Sequence, residues 1–131
     1  MNRPITCALS PNTEHDDILH AVRLTLRPWR WKKGSATRDV EAWFRRYYTG
    51  STAVSFNSGR AALMALLLAF GIGAGDEVIV QAFTCIAVPN SVSWTGAVPI
   101  YADIDPTYNL DPLDVQKKIT KKTRAIVVQH T

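Results

Sequence analysis

The residues best placed to do chemistry form a short turn, Ser58-Gly59-Arg60, between an apolar stretch and a run of helix formers. Thr52 to Phe56 is β-branched and aromatic and reads as a buried strand. Gly59 to Phe70 is almost wholly Ala, Leu and Met, which favour helix. A strand-to-helix turn aims unpaired backbone N–H groups and the positive end of the helix dipole at one point. An anion, phosphate above all, is stabilised there. Gly59 permits close backbone approach, Ser58 brings a hydroxyl and Arg60 a charged fork. Two readings stand at this point: a phosphate site, or a serine that only caps a helix.

The elements around this turn alternate. Strands are expected near 52–56, 77–81, 98–102 and 124–129, with helices near 59–70, 86–94 and 111–119. That alternation predicts an α/β layered domain with a largely parallel sheet. Upstream, Asn12 or Thr13 is placed to cap a helix running to Leu24, and Ser35 or Thr37 a second one to Tyr48. Two domains are expected: a helical segment over 1–50 and a sheet-bearing part over 51–131. The helix from Ala61 to Phe70 has no polar face, which predicts burial on every side and a further cover from another domain or a second subunit. Gly71 reads as its C-cap and Gly75-Asp76 as the turn into the next strand. Gly71-Ile72-Gly73-Ala74-Gly75 is not a dinucleotide fingerprint, because it follows a helix and its third glycine comes one residue early.

The blocks Gly71 to Val80, Gln81-Ala82-Phe83-Thr84-Cys85-Ile86-Ala87-Val88-Pro89-Asn90, Thr95 to Asp105 and Thr107-Tyr108-Asn109-Leu110-Asp111-Pro112 stand in a telling order. With the Ser58 turn they resemble the DegT/DnrJ/StrS family of pyridoxal-phosphate aminotransferases over about Thr52 to Thr131. The resemblance implies the type I fold of pyridoxal-phosphate-dependent transferases, a three-layer sandwich with a mostly parallel sheet, here incomplete. It implies pyridoxal 5'-phosphate as cofactor, with Ser58, Gly59 and Arg60 at its phosphate. Arg60 stands where the family usually has Thr or Ser, and either binds phosphate through its guanidinium or turns outward and offers only its backbone N–H. Cys85 stands where the family stacks an aromatic ring on the cofactor. It packs there as a small polarizable group, or Phe83 compensates, or it is an ordinary buried cysteine. His130 maps to a strand end near the cofactor edge.

The resemblance also implies an enzyme that aminates a nucleotide-linked keto-sugar, taking nitrogen from a donor such as glutamate, as a homodimer. In the family the acidic partner of the pyridinium nitrogen and the Schiff-base lysine lie beyond the strand that ends at His130. No catalytic residue is therefore expected in this chain, and the 131 residues alone are expected to be inactive. Lys117, Lys118, Lys121 and Lys122 suit a helix C-terminus and solvation. The alternative reading, prompted by Arg60 and Cys85, is a non-catalytic homologue that binds pyridoxal phosphate or a nucleotide sugar. A third is a generic nucleotide-binding α/β domain.

Composition excludes several classes. Hydrophobic residues make up 47% of the chain, as in a globular fold. The net charge of +4 belongs to residues 1–50, which hold nine Lys/Arg against five Asp/Glu, and is focused at Arg27-Pro28-Trp29-Arg30-Trp31-Lys32-Lys33-Gly34. This run reads as a basic surface loop interleaved with two Trp; so short a run is a small footprint for nucleic acid, and no such partner is expected. Trp43, Phe44, Tyr47 and Tyr48 fall at helical spacing, as core or interface residues do. Cys7 and Cys85 suggest neither a disulfide scaffold nor a metal site, and Asp103 with Asp105 reads as turn chemistry rather than a metal pair. The longest apolar run is too short to span a bilayer, and no signal-peptide core is present, so a cytoplasmic location is expected.

Overall fold

The computed structural model describes residues 13–130. Asn12 as a helix cap and Cys7 lie outside those residues, as do the side chains of Arg30, Lys32 and Lys33 in the basic run. The chain divides into two units, Met1–Val54 and Ser55–Thr131. The first holds helix α1 (His15–Thr25), a 3-10 helix (Pro28–Lys33) and helix α2 (Ser35–Tyr47). The N-cap of α1 is Glu14, whose N–H donates to the Asp17 carboxylate at 3.0 Å. The expected loop at 27–34 is instead helical: Pro28 starts it, and Trp31 Nε1 donates to Leu24 O at 2.8 Å. On α2, Trp43 stacks on Tyr47 at 5.1 Å and Phe44 on Tyr48 at 6.2 Å, the pairs that a four-residue spacing brings together.

The second unit holds α3 (Gly59–Ala69), β1 (Glu77–Gln81), α4 (Ala87–Ser93), β2 (Val98–Ala102), α5 (Pro112–Lys118) and β3 (Thr123–Val127). The three strands form one parallel sheet in the order β2-β1-β3, aligning Ile79 with Ile100 on one side and Ile126 on the other. Parallel neighbours need crossovers, and α4 and α5 supply them. Pro99 lies on the edge strand β2, where a missing ladder donor is tolerated.

Period two divides β1 between two cores. Val78 and Val80 pack with Leu67 of α3, Val92 of α4 and Ile72, while Ile79 packs on the opposite face with Ala102 and Val115 of α5. Helices thus cover both faces, giving the expected α/β layers. The apolar residues of β1 are fully buried, and each such burial contributes about 1.5–3 kcal/mol. The end of α3 is a Schellman turn: Gly71 N–H donates to Leu68 O at 2.9 Å, and Ile72 N–H to Leu67 O at 3.0 Å. Gly71 takes φ 71°, which glycine adopts without a Cβ clash, and Ile72 and Leu67 then share the core.

Two expectations are corrected. Residues 52–56 form no strand, because a strand exists through its ladder bonds and the described residues give this segment none. Helix α3 is not buried on every side: Leu67 is its one buried residue, while Leu66 and Phe70 are 54% and 70% exposed. Sheet and α4 cover one stripe of the helix. The uncovered stripe borders a groove lined by Leu63, Leu66 and Phe70 and by β3.

The end of β2 is tied to α5 by charge. Asp103 N–H donates to the Asp114 carboxylate at 2.8 Å, and Lys118 bridges Asp114 at 2.9 Å and Tyr101 O at 2.6 Å. The Asp103 N–H first, and Lys118 second, hold the Asp114 carboxyl below the usual carboxylate range. A lowered folded value stabilises the fold above the unfolded value and is lost as pH falls through the folded one. The midpoint of thermal unfolding is therefore predicted to fall below about pH 4, and to fall less in Asp114→Asn. Leu67→Ala, which empties a core position, is predicted to cost about 2–4 kcal/mol in chemical denaturation, with Leu66→Ala costing under about 1.

Candidate functional site

The site begins where α3 begins. Ser58, with extended backbone, is the N-cap, and its Oγ accepts the Ala61 N–H at 3.2 Å while its carbonyl accepts the Ala62 N–H at 3.0 Å. The cap reading is thus correct, and it leaves the phosphate reading open. A hydroxyl that accepts through one lone pair still has its proton to donate. Gly59 and Arg60 are the first residues of the helix, so no helical carbonyl lies behind their N–H groups. A Cβ added to Gly59 would meet no heavy atom within 4 Å. The packing of this chain gives no reason for glycine there, whereas a ligand approaching the backbone does.

Arg60 has two partners on α4 and its C-cap. Its carbonyl accepts from Ser91 Oγ at 3.1 Å, and its guanidinium lies 5.9 Å from the centre of the Trp94 ring, a cation–π distance. The guanidinium of Arg60 is thus engaged at the Trp94 ring. Ser91 is fully buried, and its single hydroxyl proton is shared between Arg60 O and Ala87 O, so one hydroxyl holds α3 against α4.

The other expected residues gather at the carboxyl ends of the strands. Cys85 is an exposed free thiol on the loop between β1 and α4, not a buried packing residue. Beside it, the Thr84 hydroxyl bonds the Gln129 amide oxygen, which joins the loop after β1 to the segment after β3. His130, also exposed, follows Gln129. Phe83 is exposed, and its ring lies 6.0 Å from that of Tyr108. Among the described residues no hydrogen bond joins the Ser58 turn to Cys85 or His130; α4 is the element that both borders Cys85 and holds Arg60.

Asp105 closes the turn after β2, accepting the Thr107 N–H at 2.7 Å and the Thr107 hydroxyl. Those bonds, the hydroxyl's foremost, hold its carboxyl below the usual range. Asp103 accepts the Ile104 N–H. Both acids do turn work, and no group of three or more metal-ligating side chains occurs among the described residues. No helix among them is long and apolar enough to cross a membrane. Sequence reasoning passed over Gln81, whose amide joins the loops at this end of the sheet; no local signal marks it, because one of its partners is a carbonyl 27 residues away. Trp94 gave no signal, since nothing local links it to Arg60.

Comparison with known proteins places this geometry in a class. Residues 12–131 match the model of the DegT/DnrJ/EryC1/StrS aminotransferase family, and the chain belongs to that family. It is 43% identical over 123 residues to L-glutamine:2-deoxy-scyllo-inosose aminotransferase of Streptomyces kanamyceticus, covering 88% of this chain and 29% of that protein. It is 40% identical over 118 residues to GDP-perosamine synthase of Caulobacter vibrioides, covering 89% and 31%. The structure of NtdA from Bacillus subtilis with bound cofactor PMP superposes with a TM-score of 0.64 at 38% identity, over 68% of this chain and 21% of that one. The chain therefore spans about a third or less of the length of these relatives.

The cap makes a prediction of its own. Ser58→Ala is expected to destabilise the fold by about 1 kcal/mol in chemical denaturation and Ser58→Gly by a few tenths, because glycine is a passable N-cap and alanine is not.

Proposed function

We propose that this chain forms the phosphate-binding side of a pyridoxal-phosphate-dependent aminotransferase whose acceptor is a keto-sugar carried on a nucleotide. The observation that carries the reading is the turn Ser58-Gly59-Arg60, with free first-turn N–H groups and open space above Gly59, in a chain of an aminotransferase family. When bound, pyridoxal phosphate supplies the electron sink through which an amino group passes from donor to ketone.

The chain's own residues do the holding. The N–H groups of Gly59 and Arg60 and the Ser58 hydroxyl donate to the phosphate, and the α3 dipole adds a favourable field. Cys85 and His130 border the ring, the thiol offering a smaller contact than an aromatic face would. The nucleotide-carried acceptor is supported by the relative named GDP-perosamine synthase, and the relative named for 2-deoxy-scyllo-inosose supports a cyclic polyhydroxy ketone more broadly. Lys118 is engaged with Asp114, and no residue of this chain is assigned the proton transfers. The exposed Leu66 and Leu68 of α3 and Phe70 at its C-cap give a second subunit an apolar surface to bury, which supports a homodimer. The proposed setting is cytoplasmic, consistent with an exposed free thiol.

Gly59→Ala separates ligand binding from folding. The substitution fills open space in a helix, so the fold is predicted to be unchanged or up to about 1 kcal/mol more stable. Binding of pyridoxamine phosphate, followed by tryptophan fluorescence, is predicted to weaken about tenfold or more, because a methyl group stands where the phosphate approaches. Equal affinity in the two chains contradicts the phosphate assignment. Tighter binding of a nucleoside monophosphate than of pyridoxamine phosphate favours a generic nucleotide site instead.

A further inference from the structure

The last residue of the central strand does something its neighbours do not. Gln81 is 1% exposed, and its Nε2 donates to two backbone carbonyls, Phe83 O and Tyr108 O, each at 2.9 Å. Tyr108 is 27 residues further along the chain, in the turn between β2 and α5. The Gln81 Oε1 is buried without a partner. A buried acceptor left unpaired is destabilising, and a methionine would fill similar space without that penalty.

Tyr108 is unusual as well. It has φ 64°, in the left-handed region that bulky residues avoid, and it is the one non-glycine residue there among those described. Its ring and that of Phe83, the two residues whose carbonyls the Gln81 amide holds, are both exposed and lie 6.0 Å apart. These features coincide at the carboxyl end of β1. The chain leaves β1 for β2 on one side and returns past it to β3 on the other. Open parallel sheets bind ligands at such reversals of strand order. An unpaired polar atom and a strained backbone at one such place are tolerated where loop position matters.

We propose that Gln81 is a positioning residue: its amide ties the Cys85 loop (residues 82–86) to the Tyr108 turn, and so sets where the thiol and the Phe83–Tyr108 ring pair stand. The structural part of this role is independent of the ligand. Its consequence, the shape presented to the cofactor ring, rests on the cofactor reading above.

The test uses the 131-residue chain and its Gln81→Met variant. With the tether removed, the hydrogen-bonded amides of Ala82, Val88 and Tyr108 are predicted to exchange about tenfold faster at a nearly unchanged melting temperature, since the variant loses two hydrogen bonds and an unpaired acceptor together. An unchanged rate overturns the tether. Peptide-resolved mass spectrometry reads iodoacetamide alkylation of Cys85 separately from Cys7. Pyridoxamine phosphate, which has no aldehyde to react with surface lysines, is the second arm. It is predicted to protect Cys85 in the native chain, with half-protection in Gln81→Met needing about tenfold more. Protection at equal concentrations in both chains overturns the positioning role and leaves the cofactor reading standing. Faster amide exchange in Gln81→Met, with protection of Cys85 in neither chain, overturns the cofactor reading and leaves the tether standing. Hydrogen exchange on the native chain needs no variant: the amides of Ala82 and Val88 are predicted to open together with those of 107–109, and independent opening of the two loops overturns the tether.

Discussion

Everything in the second unit follows from the complete burial of β1. Val78, Ile79 and Val80 have no solvent exposure, so the strand needs helices on both faces and strands on both edges. α3 and α4 satisfy one face, α5 the other, and β2 and β3 the edges. Because all three strands are parallel, every connection that leaves the sheet does so from the same end. The loops bearing Cys85, Tyr108 and His130 are gathered there by topology before any side chain is considered. Gln81 stands where that burial ends and the loops start.

Helix α3 shows how a structural feature and a binding feature share atoms. Its C-terminus is consumed by its own Schellman turn, which returns the chain through Ile72 to the core. Its N-terminus is only half satisfied by Ser58, and the donors left over are the ones an anion needs. Capping and phosphate binding are thus not rivals. The Ser91 hydroxyl and the Trp94 ring hold the start of the helix against α4, so the donors are carried on a braced element rather than a free loop.

Much of this was legible in the residues. β1 and β2 fall at 77–81 and 98–102 as expected, because apolar runs bounded by Gly75-Asp76, Gly96 and Asp103 leave little choice. Gly71 announced the end of α3 by the positive φ that its place requires. Residues 52–56 misled, since strand-like composition specifies a preference and not a partner. The Arg27–Lys33 run read as a basic loop, yet Pro28 suits the first turn of a helix, and the Trp31 bond to Leu24 could not be read from spacing. For α3, composition predicted a fully buried helix, whereas burial depends on what surrounds it; this chain covers one stripe. The Ser58 turn and Cys85 were visible as types and order. Gln81 was not, because its role depends on a carbonyl 27 residues away.

The most direct test of the cofactor-phosphate account is a residue-by-residue map of amide chemical shifts in the labelled 131-residue chain as pyridoxamine phosphate is added. The account predicts the largest shifts at the N–H groups of Gly59 and Arg60, with smaller ones at Cys85. Shifts confined to the basic segment Arg27–Lys33, or none at Gly59 and Arg60 at saturation, would contradict it.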